Sequence, residues 1–302
     1  MKVLMTVGLV ALTAMPAVAF ERMARSDCRA AIEQFSALMD DAPAKTERLL
    51  EATRVTPQGW CEIRSDGLDG AEFENLEWRA EGITRWTRDG IPPLALEFRV
   101  TGIDQGDLQN NPRASRPPVD LFMTLRQVSD AGQVIVERAV LENNAGDSIS
   151  VSGVFERLYL SSPSMMQVSL GSATFKAGLM SMTLEGTIED PFGFEMSVEV
   201  DGAPQSQRDL AFDMISRLPV GLISDESRAE LTAFAGDLPK PVGTLEVNLN
   251  SERGLGIMQV GAAIAMSGLE ILTEEEGADQ MEVLFDGLTI GADWTPAAQV
   301  AD

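Results

Sequence analysis

The sequence predicts an α+β protein: a mainly antiparallel β-sheet meander with one apolar face, covered by N-terminal and mid-chain helices. Three observations predict this fold class. Apolar and polar residues alternate through the middle of the chain, which is typical of antiparallel strands. Apolar residues recur at three- and four-residue spacing before and after that region, which is typical of helices. Turn-forming residues separate the alternating stretches.

We divide the chain where this period changes. Residues 1–19 are predicted to be a signal peptide and residues 20–302 a single exported domain. The domain is divided into a helical segment (20–54), a β-meander (55–202), a second helical segment (203–242) and a C-terminal β-rich segment (243–302).

The first nineteen residues have the parts of a cleavable signal peptide. Lys2 supplies a positive charge, an apolar stretch follows it, and Ala17-Val18-Ala19 gives the small-x-small pattern before Phe20. The apolar stretch is too short to span a bilayer comfortably. We therefore expect a periplasmic protein with no transmembrane segment in its mature chain. Passage to the extracellular space stays open.

The first helical region covers residues 26–53, where Ala31 and Phe35 fall on one helix face. The sequence Asp-Asp-Ala-Pro at 40–43 breaks this pattern, and a second short helix is predicted at 45–54. Two helices are therefore expected before the first strand.

The chain has two cysteines, Cys28 and Cys61, and we expect them to form one disulfide. An isolated pair in an exported protein is usually a structural bond, and a redox pair would normally need the spacing C-x-x-C. Closing a loop of about 33 residues stabilises a fold by about 3.7 kcal/mol in the chain-entropy model. The bond would tie the N-terminal helix to the first strand.

Alternation through the β-meander predicts about eight strands between residues 56 and 201, each with one buried and one solvent-exposed side. The apolar parity is carried in turn by Leu76, Trp78, Ala80 and Trp86; Leu94, Leu96, Phe98 and Val100; Val119, Leu121, Met123 and Leu125; Met180, Met182, Leu184 and Ile188; and Phe194, Met196, Val198 and Val200. Phe122 departs from this pattern, because it is an apolar residue on the polar parity.

Helical spacing returns at 208–237, where Pro219 interrupts it and Ser224 is expected to cap the second part. Alternation resumes at 245–249, which predicts a strand.

The last part of the chain is harder to interpret. Residues 254–272 are the most apolar stretch of the mature protein, and we interpret them as a buried helix or two short strands. Four glycines and three polar residues argue against a transmembrane segment there. A final strand or hairpin is predicted at 283–290, and the tail from Thr295 is expected to be frayed.

Composition excludes several classes of function. The chain has 47 acidic and 23 basic residues, a net charge of −24 and no histidine. The charge argues against binding to nucleic acid or to anionic lipid head groups. The missing histidine excludes Ser-His-acid triads, Cys-His dyads and histidine metal ligands. No nucleophile elbow or phosphate-binding loop is present, so we assign no catalytic residue and no cofactor.

Two weaker signals have a structural and a functional interpretation. Trp60, Trp78 and Trp86 suit sheet packing better than a sugar-binding platform. The acidic stretches at 66–70 and 274–279 could supply oxygen ligands to calcium, but neither has the spacing of an EF-hand loop. Solvated turns are the simpler interpretation.

The chain is rich in methionine, with 15 residues. Methionine fills irregular core spaces and also lines adaptable apolar surfaces. Ordinary core packing is the simpler interpretation, and a pliable groove for an acyl chain is the functional one. Both concern Met165, Met166, Met180, Met182, Met196, Met258 and Met266.

Three short stretches of the sequence resemble the AsmA-type envelope proteins of Gram-negative bacteria. The residues concerned are the hairpin sequences at 150–154 and 184–188, and a helix that runs into Leu-Pro-Lys-Pro at 238–241 before a new strand. The resemblance implies a role in envelope lipid homeostasis through an apolar groove, and it implies no catalytic residue.

The leading hypothesis is therefore a non-catalytic exported envelope protein that binds lipid or another apolar ligand on a β-sheet groove. One alternative is a structural or interaction module whose acidic face binds a basic protein partner. A carboxylate-dependent hydrolase is a further alternative, because the separation of two acidic side chains cannot be read from a sequence.

Overall fold

A computed structural model of the chain describes residues 20–38, 43–68, 72–104, 117–186, 199–200, 203–204, 206–256 and 285–297. The described residues form a large open antiparallel sheet of ten strands with helices at its two ends, which confirms the predicted α+β class. The strands in chain order are β1 (Thr53–Val55), β2 (Cys61–Arg64), β3 (Asn75–Glu81), β4 (Ala95–Ile103), β5 (Val119–Val128), β6 (Gln133–Asn143), β7 (Ser148–Glu156), β8 (Thr174–Glu185), β9 (Glu199–Val200), β10 (Ala203–Pro204), β11 (Val242–Gly256) and β12 (Leu288–Pro296).

The order of strands in the large sheet is β1-β2-β3-β4-β5-β6-β7-β8-β11-β12. Strands β9 and β10 form a separate two-stranded pair. Each strand from β1 to β7 pairs with the next one along the chain, so the part from β1 to β8 is a meander, as predicted.

Six α-helices are present in the described part of the chain: α1 (Arg25–Leu38), α2 (Pro43–Ala52), α3 (Ile83–Asp89), α4 (Pro163–Leu170), α5 (Gln207–Arg217) and α6 (Asp225–Asp237). The prediction of two N-terminal helices and of a helical pair broken at Pro219 is confirmed. The hydroxyl of Ser224 accepts a hydrogen bond from the N–H of Ser227, so the predicted cap is present. None of the helices in the described part is both long and apolar enough to cross a membrane.

The first end of the sheet is covered by α1 and α3. The predicted disulfide between Cys28 and Cys61 is present and joins α1 to β2, with both residues fully buried. Around it lies a buried cluster that includes Trp78, Ala80 and Ile83. The bond joins α1 to the second strand rather than the first, because the three-residue β1 precedes Cys61.

The other end is covered by α6, which packs on β12. The rings of Phe234 and Trp294 meet edge to face, 5.1 Å between centroids. The indole N–H of Trp294 donates to the carboxylate of Asp237 at 2.9 Å. Arg228 donates to the carbonyl oxygens of Ile215 and Leu218, so it ties α6 to the end of α5.

Both edges of the large sheet are protected. Strand β1 is only three residues long. On the outer side of β12, the N–H of Ile290 donates to the carbonyl of Leu222, and the N–H of Trp294 donates to the carboxylate of Glu230. Short or occupied edges limit pairing with a second chain.

Two local predictions are wrong. Trp86 lies in α3 and not on a strand, because Gly82 takes a left-handed conformation (φ 69°) that ends the extended stretch after β3. Thr295 and Pro296 belong to β12, where they pair with β11, so the tail is not frayed from Thr295. Of the final strand or hairpin predicted at 283–290, residues 283 and 284 lie outside the described residues, and β12 begins at Leu288.

Other predictions lie outside the described residues. These are the signal peptide at 1–19, Ile188 at the end of one alternating stretch, the alternating stretch from 194 to 198, and most of the apolar stretch at 254–272, of which 254–256 end β11.

Candidate functional site

A continuous apolar row crosses the whole sheet. Residues that pair directly across neighbouring antiparallel strands lie on the same face. Following these pairs from β1 to β12 selects one residue per strand, and all ten are apolar. The row is Val55, Cys61, Trp78, Phe98, Met123, Ala139, Val151, Met180, Val247 and Ala292. We call the face that carries this row the apolar face and the opposite one the polar face.

A second row runs beside the first and is also apolar from β2 onwards. It consists of Ile63, Leu76, Val100, Leu121, Leu141, Ile149, Met182, Leu245 and Trp294. The predicted alternation therefore produces a shared face across all strands, and not only within each strand.

A β-bulge in β6 keeps the rows in register. Val134 and Val136 are even-numbered, whereas Ala139 and Leu141 are odd-numbered, so a regular strand would put them on opposite faces. The pairing of β6 with β5 shifts by one residue between Arg138 and Val136, and the same stretch shifts against β7. One extra residue thus returns all four side chains to the apolar face.

The helices cover the two ends of the apolar face. Trp78 and Ala80 are buried in the cluster that α1 and α3 complete. Leu245, Leu288 and Trp294 are buried at the end where α6 packs on β12. The sheet has a closed core at each end.

The middle of the apolar face, from β5 to β8, is more exposed than its ends. Met123, Val136, Ile149 and Met182 are only half-buried. Val151, at the centre of the first row, has 40% of its surface exposed. We call this part of the face the open middle. A single-layer sheet leaves an apolar surface where no helix packs on it, and such a surface favours an apolar ligand.

Two glycines and two phenylalanines form one margin of the open middle. Gly153 and Gly178 pair directly across β7 and β8. A β-carbon added to Gly178 would lie 3.0 Å from the ring of Phe175, so this ring lies directly over the glycine. The ring of Phe155 meets that of Phe175 edge to face at 5.7 Å. Aromatic rings and main chain therefore bound the surface here.

The polar face carries a stack of arginines and aromatic rings near the first end of the sheet. The guanidinium of Arg79 lies 4.6 Å from the ring centre of Phe20 and 4.3 Å from that of Trp60, and that of Arg99 lies 4.4 Å from Trp60. Buried Glu97 accepts hydrogen bonds from Arg79 at 2.5–2.6 Å. These cation–π contacts indicate that Trp60 has a structural role.

The structure separates the residues that the sequence singled out. Trp60 and Trp78 are buried, as sheet packing predicts. Met180 and Met182 lie in the rows of the apolar face, whereas Met165 is exposed on α4. Met196, Met258 and Met266 lie outside the described residues. Within the part of the chain that the structure describes, no three acidic or cysteine side chains are grouped so that they could hold a metal ion. The acidic stretch at 274–279 and residues 69–70 of the stretch at 66–70 lie outside that part.

Comparison of the chain with protein-family models, with curated proteins and with solved structures finds no match. The geometry of the sheet therefore carries the functional inference.

Proposed function

We propose that this protein is a non-catalytic exported envelope protein that binds lipid or another apolar ligand on the open middle. The supporting observation is the half-exposed apolar surface of β5 to β8 between two ends that are closed by helices. A fully sealed sheet would bury Val151, which instead has 40% of its surface exposed.

The open middle suits an acyl chain in size and chemistry. Four strands spaced about 4.8 Å apart give a surface about 14 Å across. Each methylene group that leaves water gains about 0.8 kcal/mol, so six would contribute about 5 kcal/mol before ordering costs. Met180 and Met182 add flexible side chains that can adapt to acyl chains of different shape.

Export is supported by the buried Cys28–Cys61 disulfide, since such bonds persist mainly in oxidising compartments. The proposal also includes a signal peptide at 1–19 and a periplasmic location. Its lipid-binding role is also what the resemblance to AsmA-type proteins implies.

A matched pair of variants tests the site. Val151 on β7 and Leu179 on β8 are comparably exposed, at 40% and 45%, but they lie on opposite faces of the sheet. Native mass spectrometry of protein purified without detergent should show a lipid adduct in the wild type. Val151→Glu should reduce the adduct at least tenfold, because a carboxylate in the open middle loses its hydration when an acyl chain covers it. Leu179→Glu should leave the adduct unchanged.

A bare wild-type mass, or equal loss in both variants, would contradict the proposal. A bare mass would favour the first alternative, an interaction module whose acidic face binds a basic partner. The hydrolase alternative is weakened by the burial of Trp60 and Trp78, which cannot stack on a sugar.

A further inference from the structure

A second concave surface lies on the polar face, on the side of the sheet opposite the open middle. It is an open groove of about 350 Å³ along β4, β5 and β6. Arg99, Asp120, Phe122, Arg138 and Glu142 line it. Phe122 is an apolar residue of β5 that departs from the alternation, and it lines this groove.

Two arginines of the groove lie near the ring of Phe122. The guanidinium carbons of Arg99 and Arg138 lie 5.5 Å and 5.9 Å from the ring centre of Phe122. Within the described residues, the Arg138 guanidinium makes no hydrogen bond and no ion pair, and it lies near this ring alone among the aromatic rings. Arg99 has its nearest carboxylate 3.8 Å away, at Glu97, and that carboxylate is already bound more closely by Arg79. The guanidinium N–H donors of Arg138 are therefore available to a ligand.

Two carboxylates form the other end of the groove. Asp120 on β5 and Glu142 on β6 are direct cross-strand partners. Like charges in this arrangement destabilise a sheet. One oxygen of Asp120 accepts the N–H of Gly102 at 2.8 Å. No arginine or lysine among the described residues lies within 4 Å of either carboxylate, so this end of the groove stays negative.

We propose that this groove binds a small zwitterion that carries an anionic group and an ammonium group a few bonds apart. The anionic group would be held by Arg99 and Arg138, the ammonium group by Asp120 and Glu142, and the linking carbons would lie against Phe122. Such a ligand neutralises the repelling carboxylates and pairs the Arg138 guanidinium at once.

The spacing of the charges favours a zwitterion over a simple ion. Arg138 and Glu142 are four residues apart on β6, which puts their Cα atoms about 13 Å apart. This distance exceeds the Debye length of about 8 Å at physiological salt, so each end of the groove acts mainly on the charge next to it. A free anion gains only from the arginine end and a free cation only from the carboxylate end, whereas a zwitterion gains from both.

The test compares phosphoethanolamine with its two halves, inorganic phosphate and ethylammonium, by isothermal titration calorimetry on the full chain. Phosphoethanolamine should bind at least tenfold more tightly than either half. Arg138→Gln should weaken phosphoethanolamine binding at least tenfold. Glu142→Gln should lower the preference for phosphoethanolamine over phosphate at least fivefold, because it removes one of the two carboxylates that would hold the ammonium group.

Two exposed residues outside the groove provide matched controls, Arg54→Gln on β1 and Glu246→Gln on β11. Neither should change any of the three affinities. The proposal is overturned if phosphoethanolamine does not bind, if it binds no better than phosphate, or if the Arg138 and control variants behave alike. Thermal unfolding followed by circular dichroism verifies that all variants are folded. These outcomes do not depend on lipid binding at the open middle.

Discussion

Replacing both cysteines of the Cys28–Cys61 disulfide by alanine should lower the free energy of unfolding by about 4 to 5 kcal/mol. The bond joins α1 to β2 across 33 residues of sequence, and both residues are fully buried. Loop closure of this length contributes about 3.7 kcal/mol by restricting the unfolded chain. Loss of the two buried sulfur atoms adds about 0.5 kcal/mol each from the space they leave.

Urea unfolding followed by tryptophan fluorescence measures this change as a shift in the midpoint. The reduced wild-type protein is the matched control, because it keeps both sulfur atoms and loses only the covalent link. Reduction should therefore account for most of the loss, and the double alanine variant for a small further amount. Hydrogen exchange should show faster exchange in α1 than in β5 to β8 after reduction, since the bond holds α1 on the sheet.

A reduced protein that is less stable by under about 1 kcal/mol would refute this reasoning. It would mean that the other contacts of α1 hold it in place, or that the unfolded chain is already compact around this loop.

Three further substitutions test the polar contacts and the C-terminal cover. Asp147→Ala should lower the free energy of unfolding in urea by about 3 kcal/mol, because the buried carboxylate of Asp147 accepts hydrogen bonds from Glu185 N–H and Asn143. An equal effect of Asp130→Ala, in an exposed turn, would contradict this. Glu97→Gln should cost about 2 kcal/mol by leaving the partly buried Arg79 without its carboxylate, and a loss under 0.5 kcal/mol would count against a structural role for the pair. Trp294→Ala should lower the free energy of unfolding by about 4 kcal/mol and release α6 from the sheet, which circular dichroism would show as lost helix signal. An unchanged stability would contradict the packing of α6 on β12.

Much of the fold can be predicted from local patterns. Period-two alternation locates most of the strands, and breaks such as 40–43 and Pro219 locate the ends of helices. The assignment of Trp86 to a strand failed because its parity matches that of Trp78 by chance. The conformation of Gly82, which changes the chain direction, has no periodic signal.

The candidate site depends on long-range geometry that one sequence does not contain. Alternation predicts an apolar face, but which strands the helices leave open depends on where α1 and α6 pack. The position of Arg99 and Arg138 near the ring of Phe122 depends on the register of three strands and on a bulge beside Arg138. The off-pattern Phe122 was the one available signal, and it pointed to a position rather than to a ligand.

The order of the strands also sets an order of assembly. Strands β1 to β8 each pair with their immediate neighbour in the chain, so this part can form one hairpin after another as the chain lengthens. Until β11 has been made and pairs with it, strand β8 presents an unpaired edge of twelve residues. A chain that ends after residue 200 should therefore associate with its own copies through β8, whereas in the full chain β11 and β12 close the sheet. Pairing of β8 with β11 should thus limit aggregation of the newly made chain, and β11 and β12 also complete the apolar face.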